Sequence, residues 1–155
     1  MNSHRTGFAV LVAAGLLQAC SHGTDPAKVQ ADVARAQADG QKMVVDAQAK
    51  LDQVNAQNNK DVVNAQVDTH ADNANNPPPA ANDDVAKARA NAGKKAADAQ
   101  YDVDKAKAEA AYNVAKAQCE AQTDDAGKAC NDGAKSRYEA ALADAKSKND
   151  AAQRN

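Results

Sequence analysis

The chain has 155 residues, enough for one domain, and 43% of them are apolar, but alanine supplies most of that fraction. Past Cys20 there is no Ile, Phe or Trp and the leucines are Leu51 and Leu142, so a thick globular core is excluded: burial yields only about 25 cal/mol per Å² against about 1.5 kcal/mol to order each residue. Lys and Arg (19) nearly balance Asp and Glu (21), aromatic residues make up 3%, and the two signs alternate, which leaves neither a basic track for a phosphate backbone nor a stacking platform for bases. Nucleic acid is not the expected partner.

Residues 1–19 read as a signal peptide. Arg5 supplies a positive charge, and Phe8 to Ala19 form an uncharged, mostly apolar run, too short for the roughly 20 residues that span a bilayer but of h-region length. The run ends Leu16-Leu17-Gln18-Ala19-Cys20, which resembles the lipobox of bacterial lipoproteins. The resemblance implies a diacylglyceryl group on the Cys20 thiol, cleavage between Ala19 and Cys20, and acylation of the freed amine. Two or three chains at about 0.8 kcal/mol per buried methylene make such a tether effectively permanent, so the lipid bilayer is the first expected partner. Ser21 occupies the place where, in enterobacterial lipoproteins, aspartate retains the protein in the inner membrane; serine implies the periplasmic face of the outer membrane.

Residues 20–26 form a short leash, with Asp25 as N-cap and Pro26 at the first helical position. The segment 27–75 reads as one long helix. Apolar or small residues fall at 29, 33, 36, 40, 43, 47, 51, 54, 58, 62 and 65, in steps of three and four. Val29, Gly40, Leu51 and Val62 fit an eleven-residue ruler, which at about 3.67 residues per turn keeps the stripe nearly straight. Asn55, Asn58, Asn59, Asn64, Asn73, Asn75 and Asn76 predict fraying toward the end. Residues 76–82, with Pro77-Pro78-Pro79, read as a stiff, proline-rich break.

A second helix is expected over 83–121, opened by Asn82-Asp83-Asp84. It holds an internal repeat: Ala99 to Glu109 is followed without a gap by Ala110 to Glu120, with Ala, Tyr, Val, Lys, Ala and Glu recurring in place. Tyr101 and Tyr112 therefore share nearly one face and serve either as a contact ridge for a partner or as covers on a thin seam between packed helices. The polar stretch within 122–132 predicts a turn, and 133–153 a last helix, with Lys148 onward fraying. Export places Cys119 and Cys130 in an oxidising compartment, where an even pair becomes a disulfide. Their spacing is not the Cys-x-x-Cys of a redox pair, and His22 and His70 stand apart from them, so no metal or other cofactor is expected. A straight helix through 119–130 would separate the two by roughly 16 Å, so the bond requires a reversal of the chain there.

The fold expected is thus all-α: extended, alanine-rich long helices, a proline-rich break, and a C-terminal helical hairpin linked by a disulfide, with little globular core. Ala111 to Glu120, continued by Asp125 to Cys130, resembles a group of small Ala- and Lys-rich envelope proteins of proteobacteria that carry a paired-cysteine motif. The first helix, hung from Cys20-Ser21, is similar in style to the murein lipoprotein, although the lysine that joins that family to peptidoglycan has no counterpart in Gln153-Arg154-Asn155. A structural or interaction lipoprotein follows as the first expectation, with a homo-oligomer or an envelope protein as partner. The eleven-residue repeats also resemble late-embryogenesis-abundant proteins, and a stress protectant is the second expectation. No nucleophile–base set, phosphate loop or paired-carboxylate pocket can be assembled, so an enzyme is not expected.

Overall fold

A computed structural model describes residues 25–73 and 79–154, with side chains over 25–69 and 83–154. Within these the chain is all-α, without a strand: α1 spans Pro26–Asn73, α2 Pro79–Cys119 and α3 Asp124–Gln153. The signal peptide, Cys20 with most of its leash, and Pro77-Pro78 lie outside the described residues.

The start of α1 follows from its cap. The Asp25 carboxylate accepts a hydrogen bond from the Ala27 amide (3.0 Å) and the Asp25 carbonyl one from Val29 (3.1 Å), which satisfies amides that have no partner inside the first turn. α1 runs on through Asn55, Asn58, Asn59 and Asn64 to Asn73, while Asn75 and Asn76 lie outside the described residues; Asn58 is buried against α2, where its side-chain amide donates to the Ala92 carbonyl at 2.8 Å. Nor does α2 wait for Asn82. It begins at Pro79, because proline at the first helical position needs no amide partner and Ala80-Ala81 propagate the helix well.

The helices run antiparallel in sequence, with α2 in the middle. Gly40 meets Ala110, Asn58 meets Ala92, and Asp61 meets Lys95. On the far side Tyr112 meets Tyr138 and Asp98 meets Asn149. Among the described residues α1 and α3 do not touch, so the three helices form a flat layer rather than a triangular bundle. α1 and α2 therefore run in opposite directions on either side of residues 74–78, which lie outside the described residues.

All eleven positions of the α1 stripe are buried or half-buried. Ala47 and Leu51 pack with Ala99 and Val103, flanked by Val54 and Ala106, and Val103 is fully buried. At Gly40 the backbones come so close that a Cβ there would lie 2.7 Å from the Ala110 Cβ. Small residues hold this molecule together by letting the backbones approach, in place of large side chains that would fill a wider gap.

Candidate functional site

The eleven-residue repeat of α2 serves two seams at once. Ala99 and Ala110, eleven apart, face α1, whereas Ala108 and Cys119, also eleven apart, are buried on the side of α3. Eleven residues make almost three whole turns, so each set lines up along the helix axis. Sequence reading found the repeat but not its double use, because a stripe does not say which neighbour it faces.

Cys119 and Cys130 are joined, with Cα atoms 5.6 Å apart and a sequence separation of eleven. The reversal that permits this is tighter than the turn expected over 122–132. The chain leaves α2 after Cys119, and α3 opens at Asp124, so Cys130 already lies in its second turn. Glu120, Ala121 and Gln122 donate back to Lys116, Gln118 and Cys119, and Gly127 donates to the Thr123 carbonyl at 3.1 Å. Asp124 adopts φ 52°, a left-handed conformation that aspartate tolerates better than most residues. Gly127 is obligatory at its place: a Cβ there would meet the Gln122 carbonyl oxygen at 2.8 Å. Cys119 is only 2% exposed, whereas Cys130 is half-buried.

Tyr112 stacks on Tyr138 across the α2–α3 seam, ring centroids 5.0 Å apart and planes 20° from parallel. Lys116 lies over the Tyr112 ring and Lys105 over that of Tyr101, at 5.5 and 5.9 Å. Of the two readings of the tyrosines, the packed seam describes Tyr112. The far end of α3 does not fray, because Gln153 donates to Asp98 (2.8 Å) and to the Lys94 carbonyl (3.3 Å), and Asn149 donates to Asp98 at 3.0 Å.

Two surfaces stand out beside the closest helix approach. One is an open apolar groove of about 800 Å³, floored by Gly40 and Ala110 and walled by Val44, Val45 and Val114, with Gln37 and Gln118 at its edges. At the same level a second depression is lined by Lys28, Asp32, Arg35, Asp39, Lys116 and Glu120. This part of the layer therefore carries an apolar surface and a charged one. The Lys28 ammonium is held above its ordinary range by hydrogen bonding and charge from Asp32, with Glu120 adding to it. The Asp61 carboxyl is held below its ordinary range, first by the hydrogen bond from Gln57 and then by that from Lys95.

Among the described residues no three His, Cys, Asp or Glu side chains gather as metal ligands, and no helix is long and apolar enough to cross a membrane. Comparison of the chain with family models, with curated proteins and with solved structures finds no match.

Proposed function

We propose that this chain is a non-catalytic envelope lipoprotein: a helical spacer and interaction module, tethered through acylated Cys20 and reaching into the periplasm from the outer membrane. The observation that carries the reading is the sequence Leu16-Leu17-Gln18-Ala19-Cys20, followed within a few residues by the capped start of α1. A lipid anchor with so short a leash keeps whatever follows close to the bilayer. At about 1.5 Å per residue, the 48 residues of α1 are roughly 72 Å long, a useful reach across an envelope.

The build of the helices supports the same reading. The tethered end of α1 lies beside the end of α2, since Lys28 feels the charge of Glu120, and α2 and α3 are joined there by the disulfide. A rod clamped at its anchored end suits a load-bearing or positioning role. The charged surfaces, which carry i,i+4 pairs such as Lys28–Asp32 and Lys42–Asp46, keep it solvated.

Metabolic labelling with a fatty-acid analogue tests the anchor. The native chain incorporates the label and fractionates with outer membranes; Cys20→Ala accumulates as an unlabelled, unprocessed precursor. Label that survives the substitution would overturn the reading.

A further inference from the structure

The exposed side of α1 carries a second stripe, which at Val45 also borders the groove shared with α2. Five positions beyond each residue of the inner ruler stand Ala34, Val45, Ala56 and Val67, and residues five apart on a helix point roughly 140° apart. Where the inner residues are covered by α2, these are exposed. Val45, Val63 and Val67 are the exposed large apolar side chains among the described residues, at 64%, 53% and 59%, and all lie on α1 along this stripe. Both seams inside the molecule are built on the same eleven-residue pattern of small and aliphatic side chains. The outer stripe repeats it without a neighbour.

We infer that the outer stripe of α1 docks against α1 of a second copy of this chain, antiparallel, about a two-fold axis at Ala56. The stripe is complementary to itself in that register. Val45 comes opposite Val67 of the second copy and Ala49 opposite Val63, so large residues meet large ones or fill the space above an alanine. The flanks also fit. An antiparallel pair sets each flank against the same flank of its mate, which brings Asp52 beside Asn59 and Lys60 beside Gln53, with no like charges opposed. In that register the two α1 helices overlap over residues 39–73, about 50 Å, and with a helix about 10 Å wide the contact offers about 500 Å² per copy. The total near 1,000 Å² is that of a weak dimer. The contact itself needs no lipid, and the inference does not rest on the proposed function.

Full-length protein in mild detergent provides the test, with single cysteines placed on the stripe and a short bismaleimide as cross-linker. The antiparallel register separates the two copies of residue 45 by 67 − 45 = 22 residues, about 33 Å along the helix. Ala56→Cys should therefore cross-link to itself. Val45→Cys and Val67→Cys should each fail alone but cross-link to one another when differently tagged forms are mixed, at least tenfold above either alone and above the native chain. Adding Val63→Lys should abolish the Ala56→Cys product while circular dichroism shows unchanged helicity. Self-linking of Val45→Cys, products with a different protein only, or no product above the native background would each overturn the inference. None of these outcomes bears on whether Cys20 is acylated.

Discussion

Gly40 stands where α1 and α2 come closest, and substitution there sets two effects against each other. Alanine gains about 1 kcal/mol of helix propensity over glycine, but its Cβ would lie 2.7 Å from that of Ala110, and overpacking costs about 1–3 kcal/mol. At Gly93, an exposed position of α2, nothing lies within 4 Å of the same Cβ, so only the propensity gain remains. Gly93→Ala is expected to raise the thermal midpoint by about 3–5 °C, whereas Gly40→Ala lowers it. Ala110→Gly combined with Gly40→Ala should restore much of the loss, since the pair exchanges which helix carries the methyl. Melting followed by circular dichroism measures all three. Asn58 presents the opposite case, a polar group inside the seam. Its amide nitrogen is satisfied by Ala92, but its Oδ1 is buried without a partner. The three- and four-residue stripe separates this residue from its exposed neighbour Asn59, although its amide side chain gives no hint of burial.

At the level of elements, the two seams differ in what holds them. The α1–α2 seam rests on continuous small-residue packing and on the exposed link between Asp61 and Lys95, 3.2 Å apart. The folded-state pKa of Asp61 lies below that of the unfolded chain, so the link contributes fully above the ordinary carboxylate pKa of about 4 and is lost as pH falls through the depressed folded value. Stability should therefore decline in acid, and Asp61→Asn should remove part of that decline in melts between about pH 2 and 6. At the alkaline end the signs reverse. Lys28, Lys42 and Lys148 are raised by hydrogen bonding and charge from Asp32, Asp46 and Asp144, and their contributions fade only above about pH 10. The α2–α3 seam depends more on its covalent clamp. Closing a loop of this size contributes about 3 kcal/mol in the chain-entropy model, beside one tyrosine stack and the Asp98 hydrogen bonds. Reduction, or replacement of both Cys119 and Cys130 by serine, should speed amide hydrogen exchange across 124–153 and leave 26–69 near its original protection. Because Cys119 is buried and Cys130 only half-buried, dithiothreitol should attack at the Cys130 sulfur.

For the whole molecule, the question that separates the first two expectations is whether this thin structure is ordered by itself. A lone helix so poor in large apolar groups is marginal in water, but here α2 is supported on two sides. Far-ultraviolet circular dichroism of residues 21–155 in plain buffer is expected to show dominant helix with a cooperative melt. Helicity that emerged only on drying or in alcohol would instead favour the protectant, whose resemblance rests on the same eleven-residue repeats. A flat layer also leaves both of its surfaces and the outer side of α1 open, which is the arrangement an interaction module needs and a self-sufficient globule avoids.

Alanine content, the three- and four-residue steps and the Asp25-Pro26 start dictated long helices, because these signals act within a few residues of chain. The eleven-residue ruler dictated which side of α1 would be covered, and the spacing of Cys119 and Cys130 required a reversal between them. Tertiary structure decided what no local signal reports. It made α2 the shared middle helix and set α1 antiparallel to it. It also tightened the turn to the few residues before Asp124 and pinned the end of α3 through Gln153. Each of these depends on how closely two backbones can approach, a property of residue pairs far apart in sequence, such as Gly40 with Ala110. The proposed acylation of Cys20 stays with the sequence alone, since it rests on the few residues that a lipidating enzyme would read.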